Sequence, residues 1–156
     1  MTVSNGTILE ALAEFFTGEG WPFHKMEDEE NSLQIGFQGD NGLWNCFAKA
    51  REETNQVLFY SICPVIAPPG KRGAVTEYIT RANYGIVTGN FEMDIESGII
   101  RYKTYLSAEG ITLTPQVIRQ VVFPNLLLTD KFLPGLLKTV YSDISPAEAW
   151  ESADFW

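Results

Sequence analysis

Apolar residues between positions 8 and 16 recur at helical spacing, so Ile8, Leu9, Leu12, Phe15 and Phe16 share one side of a first helix. Thr7 and Glu10 are spaced for a capping box, Gly18 offers a left-handed stop, and Pro22 keeps the helix from resuming. From Leu33 the period changes to two. Leu33, Ile35 and Phe37 alternate with Gln34, Gly36 and Gln38, and the turn residues Gly39-Asp40-Asn41-Gly42 lead into a second strand from Leu43 to about Arg51. A third strand covers Val57 to Cys63, and Phe23 to Glu27 is a candidate edge strand. The Pro-rich run from Pro64 to Gly73 ends the sheet segment. A second helix follows from about Lys71 to Asn83, with Val75, Tyr78, Ile79 and Ala82 on one face. Two further strands lie on either side of a Glu96-Ser97-Gly98 turn. Thr114-Pro115 opens a last long apolar stripe, from Ile118 to Val140. Pro124 and Pro134 interrupt it, predicting one kinked helix or two consecutive ones. Ser145-Pro146-Ala147-Glu148 starts a short helical tail at about 145–156. The element order is therefore α-β-β-β(β)-α-β-β-α. With no linker or internal repeat, residues 1–156 are expected to form one domain.

Turn lengths turn this pattern into a register. A two-residue loop at Asp40-Asn41 sets Phe37 opposite Trp44, Ile35 opposite Cys46 and Leu33 opposite Ala48. A loop centred on Thr54-Asn55 sets Ala48 opposite Ser61, Ala50 opposite Phe59, and Cys46 near Cys63. One face then gathers Leu33, Ile35, Phe37, Trp44, Cys46, Ala48, Ala50, Val57 and Phe59, with small residues at its centre where a helix can approach. That is the expected core. The opposite face carries Leu43, Phe47, Leu58, Tyr60 and Ile62, too apolar for a plain solvent face, so either a second element or a partner covers it. In the later hairpin, pairing around Ser97-Gly98 sets Ile95 against Ile100, Met93 against Tyr102, Asp94 against Arg101 and Glu92 against Lys103.

Charge and chemistry mostly exclude. The net charge of −9, from 20 acids and 11 bases, opposes non-specific binding to nucleic acid or anionic membranes. No apolar run is long enough to span a bilayer, and no signal peptide opens the chain, so a cytoplasmic location is expected, with Cys46 and Cys63 as buried free thiols. Asn5-Gly6-Thr7 is then a chance match to a glycosylation acceptor. A single histidine, His24, rules out two-His zinc motifs and disfavours a Ser-His-Asp triad. Pro69-Gly70-Lys71 lacks the phosphate-loop spacing. The acids Glu27, Asp28, Glu29 and Glu30 read as a solvated turn, and Glu92, Asp94 and Glu96 as the ion-paired outer side of a hairpin. No catalytic residues, metal ligands or cofactor site are expected.

The run Asn83 … Gly89-Asn90-Phe91-Glu92-Met93-Asp94 … Gly98-Ile99-Ile100-Arg101-Tyr102-Lys103 resembles the YbjN family, labelled bacterial sensory transduction regulators. The element order is also similar to type III secretion chaperones. This resemblance implies an α+β fold with a single antiparallel sheet, helices packed on one face, and often a homodimer. It brings no catalytic residues with it. The expected function is a non-enzymatic, chaperone- or adaptor-like module, with a regulatory role implied by the family label. It would hold a protein or peptide on the face bearing Leu43, Phe47, Leu58, Tyr60 and Ile62, or in a groove near the last helix and Trp150. The alternative is a small-ligand sensor with Trp44, Tyr78 or Tyr102 lining a pocket.

Overall fold

The computed structural model describes residues 6–153; the Asn5 match and the end of the acidic aromatic tail lie outside them. Helix α1 (Ile8–Glu19) precedes β1 (His24–Lys25), β2 (Ser32–Gln38), β3 (Leu43–Arg51) and β4 (Gln56–Ile66). Then come α2 (Arg72–Gly85), β5 (Asn90–Met93), β6 (Ile99–Ser107), α3 (Pro115–Tyr141) and α4 (Pro146–Glu151). The strands form a six-stranded antiparallel sheet in the order β1-β2-β3-β4-β6-β5. Its inner face is buried under the helices through Leu33, Ile35, Trp44, Cys46, Ala48, Ala50, Val57, Phe59, Ile100 and Tyr102.

Local chemistry explains most boundaries. Thr7 and Glu10 form the capping box, and the Glu52 carboxylate reaches across from the β3–β4 turn to accept the Ile8 and Leu9 N–H groups at 3.0 and 3.1 Å. The stop is Gly20, at φ +76°, rather than Gly18, which lies inside the helix. The first hairpin pairs as its pattern predicts, with Phe37 opposite Trp44. The next two are displaced by two residues. Residues 52–55 form a four-residue loop, a 3-10 turn closed by Asn55 at φ +52°, so Ala48 faces Phe59 and Ala50 faces Val57. Residues 95–98 likewise form a four-residue loop, so Met93 faces Ile100 and Glu92 faces Arg101. Ile95 is thus outside the strand and exposed, not part of the core. Asp94 holds that turn, accepting the Glu96 N–H and the Ser97 hydroxyl at 3.2 and 2.8 Å, instead of pairing with Arg101. Each loop is longer by an even number, so every side chain keeps its face. Strand β4 also continues past Pro64 to Ile66, absorbing the missing N–H in a register shift against β6.

The motif around β5 has a mechanical basis. The Asp94 N–H bonds the Ile99 carbonyl, which makes the even positions of β5 the hydrogen-bonded ones and turns the Phe91 N–H and C=O outward. Asn83, in the last turn of α2, meets both: its Oδ1 accepts the Phe91 N–H at 2.7 Å and its Nδ2 donates to the Phe91 carbonyl at 3.0 Å. The amide fills the place of a further strand and closes that edge. Removing it in Asn83→Ala is expected to cost about 2 kcal/mol and to raise amide exchange first in residues 90–93; protection unchanged there would show that the bracket holds nothing.

Helix α3 is one element, not two, and both prolines sit inside it. It is joined to the sheet by a polar hub. Asn125, fully buried, accepts the Ser61 hydroxyl at 2.6 Å and donates to the carbonyls of Phe59 and Tyr102 at 2.9 and 3.1 Å. Thr104 beside it donates to the Val121 carbonyl at 2.7 Å. Farther along α3, Asp130 accepts the N–H groups of Asp40 and Asn41 at 3.0 and 2.8 Å and so clasps the first hairpin turn.

Candidate functional site

Alternation along β3, β4 and β6 sends one set of side chains away from the helices. Phe47 lies directly opposite Tyr60, Tyr60 opposite Lys103, Lys49 opposite Leu58, Leu58 opposite Tyr105, and Ile62 opposite Arg101. Phe47, Leu58, Tyr60 and Ile62 thereby form one apolar patch, half-buried by one another, and no helix covers it. Leu43, 65 % exposed, shares the face but stands four residues from Phe47 along β3, about 13 Å away. Tyr105, Ile66 and Ile99 are exposed and extend the surface. They belong to it because they share parity with Arg101 and Lys103 or with Ile62, a signal present in the sequence but not used. The Arg101 guanidinium lies over the Tyr60 ring at 4.3 Å, within cation–π range. Arg101 and Lys103 both pair with Glu92, at 2.5 and 3.2 Å. Burial alone would raise the Glu92 pKa, but its bonds to Arg101 and Lys103 win and hold it below the usual carboxylate range. Its contribution to stability is present above the unfolded pKa and is lost as pH falls through the lower, folded one.

Trp150 is elsewhere. It lies on α4, half-buried on the helical side, and lines a groove of about 530 Å³ with Ile86, Val87, Leu128 and Phe132. The other three aromatics considered for a ligand pocket are core. Trp44, Tyr78 and Tyr102 are at most 3 % exposed, the Tyr78 hydroxyl donates to the Phe132 carbonyl at 2.8 Å, and the Tyr102 hydroxyl to that of Thr88. They do not line a cavity as the sensor expectation had them.

Both cysteines are free and buried. Cys46 lies opposite Ser61, not Cys63, with Sγ 3.5 Å from the hydroxyl. Burial pushes each thiol up to about 12. At pH 8 only about one thiol in ten thousand is ionised at such a pKa. A thiol-specific reagent is therefore expected to label neither cysteine until the protein is unfolded; fast labelling of the native state would contradict this packing. Among the described residues no three His, Cys, Asp or Glu side chains gather as for a metal, and no helix is long and apolar enough to cross a membrane.

One antiparallel sheet, helices on one face and the other face bare, defines an α+β fold of the kind seen in ExsC. The family profile described as "Putative bacterial sensory transduction regulator" matches residues 9–137, and the chain belongs to that family, YbjN. Among solved structures it is similar to "YbjN, a putative transcription regulator from E. coli", with a TM-score of 0.59, 12 % identity, and 80 % of this chain and 90 % of that one covered. It is also similar to ExsC in the ExsC–ExsE complex, with a TM-score of 0.51, 14 % identity, and 85 % and 95 % covered. No curated protein sequence matches the chain.

Proposed function

We propose that this protein is a non-enzymatic, adaptor- or chaperone-like module of the cytoplasm, with a regulatory role, that holds a protein or peptide segment against the bare sheet face. The observation that carries the reading is the contiguous patch of Phe47, Leu58, Tyr60 and Ile62 on a face that no helix covers. Soluble chains seldom leave such a patch to water without a use for it. A related fold occurring in a complex with a protein partner, ExsC with ExsE, supports the same reading. A homodimer forms part of it, with each copy presenting its own face.

The test compares native-extract capture by the wild type with capture by Leu58→Glu/Ile62→Glu, both substitutions pointing away from the core. A polypeptide retained by the wild type and lost by the double variant, at unchanged melting temperature, supports the reading. Identical captures by both would refute it, and a sizing measurement on the wild type decides the dimer. The groove beside Trp150 favours a second reading, a small-ligand sensor, because its volume is that of a small-molecule site. A small molecule recovered with the native protein and displaced by Val87→Trp, which fills the groove, would support that instead.

A further inference from the structure

The bare face differs in charge from the rest of the chain. Lys49 and Arg51 on β3, and Arg101 and Lys103 on β6, have the parity of Phe47, Tyr60 and Tyr105 and so project from this face. Among the described residues, four of the chain's 11 cations are therefore on it, against two acids, Glu92 and Asp94, which share one parity and stand opposite Arg101 and Ile99, in a chain of net charge −9. Glu53 and Glu96 lie in the connecting turns. The cations are also ordered. Lys49 and Arg51 continue β3 beyond Phe47 toward the β3–β4 turn, opposite Leu58 and Gln56, while Arg101 and Lys103 stand on β6 opposite Ile62 and Tyr60, so that Leu58, Tyr60 and Ile62 of β4 run between the two pairs.

Resting on the protein-binding reading above, we infer that the segment this face accepts is acidic and amphipathic: an extended polypeptide with aliphatic or aromatic side chains interleaved with aspartate or glutamate. The apolar side chains would cover Phe47, Leu58, Tyr60 and Ile62, and the carboxylates would meet Lys49 and Arg51 on one flank and Arg101 and Lys103 on the other. Complementary charge of this kind sets the register and excludes wrong partners more than it adds raw affinity. A nucleic acid or an anionic bilayer fits less well. Each is a dense polyanion that the acidic remainder of the chain repels, whereas a segment with a few carboxylates presents charge only where the cations stand.

The experiment is selection from a phage-displayed random 12-residue library on the wild type, Lys49→Glu/Lys103→Glu and Leu58→Glu/Ile62→Glu, with Lys49→Ala/Arg51→Ala as a milder substitute if the first variant melts early. The wild type is expected to enrich Asp and Glu interleaved with apolar residues. A resynthesised peptide from that pool is expected to bind at least tenfold more weakly to Lys49→Glu/Lys103→Glu, whose own selection shifts toward Lys and Arg. Enrichment of neutral or basic sequences by the wild type, or no enrichment, overturns the inference. Sedimentation with phosphatidylserine vesicles or a single-stranded RNA 20-mer, abolished by the same substitutions, overturns it too. Wild-type peptides that still bind Leu58→Glu/Ile62→Glu at full strength overturn the protein-binding reading of this face itself. A non-acidic pool lost in that variant leaves the protein-binding reading standing and removes only the charge assignment.

Discussion

Asn125→Asp is expected to destabilise the protein by about 3–5 kcal/mol at neutral pH, in the range for an uncompensated buried charge. The exchange changes almost no volume. It replaces the Nδ2 donor, which serves the Phe59 and Tyr102 carbonyls, by an oxygen that repels both. The new carboxyl is buried and faces acceptors, so its folded pKa stands above the unfolded value of about 3.9. The folded state then binds more protons than the unfolded one between those two values, and stability falls as pH rises through them. Asn125→Ala loses the same bonds without gaining a charge and is expected to cost about 2–3 kcal/mol at any pH. Urea unfolding of the two variants at pH 4 and pH 7.5 separates these effects. The gap between them should narrow at the lower pH, and a constant gap would mean that the site opens to water.

The second large effect is expected at Gly89. Its φ of +78° costs an L-residue about 1–2 kcal/mol. A Cβ there would also stand 2.3 Å from the Lys103 carbonyl oxygen, which belongs to the neighbouring strand and cannot swing aside. Gly89→Ala should therefore cost about 3 kcal/mol or more, with β5 drawn away from β6 and early loss of protection at residues 90–93. Gly85→Ala is the control: its Cβ would meet nothing within 4 Å at an ordinary φ, and it should change stability by less than about 0.5 kcal/mol. Equal melting of the two variants would contradict the close approach at Gly89.

Faces were legible in the sequence and loop lengths were not, for one reason. A strand repeats every two residues, so a loop misjudged by two leaves Phe47, Leu58, Tyr60 and Ile62 together, while Ala48 still meets Phe59 rather than Ser61. What lengthened the loops was local chemistry that no hydrophobic pattern reports. Asn55 is left-handed, and Asp94 folds its carboxylate onto its own turn. The Asn125 hub was missed because the α3 stripe was read from apolar residues only. Asn125 and Thr129 fall on that stripe between Val121, Val122, Leu126, Phe132 and Leu133, and a polar residue repeatedly in phase with a buried face is the signal of such a hub. The cation pattern of the bare face was partly hidden because the sequence register matched Arg101 with Asp94 and Lys103 with Glu92, so their shared face with Lys49 and Arg51 drew no notice.

The polar hub also bears on how the chain is made. The sheet is complete at Ser107, yet the groups that satisfy the Phe59 and Tyr102 carbonyls and cover the inner face arrive on α3, which closes only at Tyr141. Ribosomes add about 5–20 residues per second. For roughly two to seven seconds after β6 is made, the inner face lacks its longest helix while the Phe47, Leu58, Tyr60 and Ile62 patch is open on the other side. The window in which the chain shows the most apolar surface is thus its own synthesis, before α3 has docked.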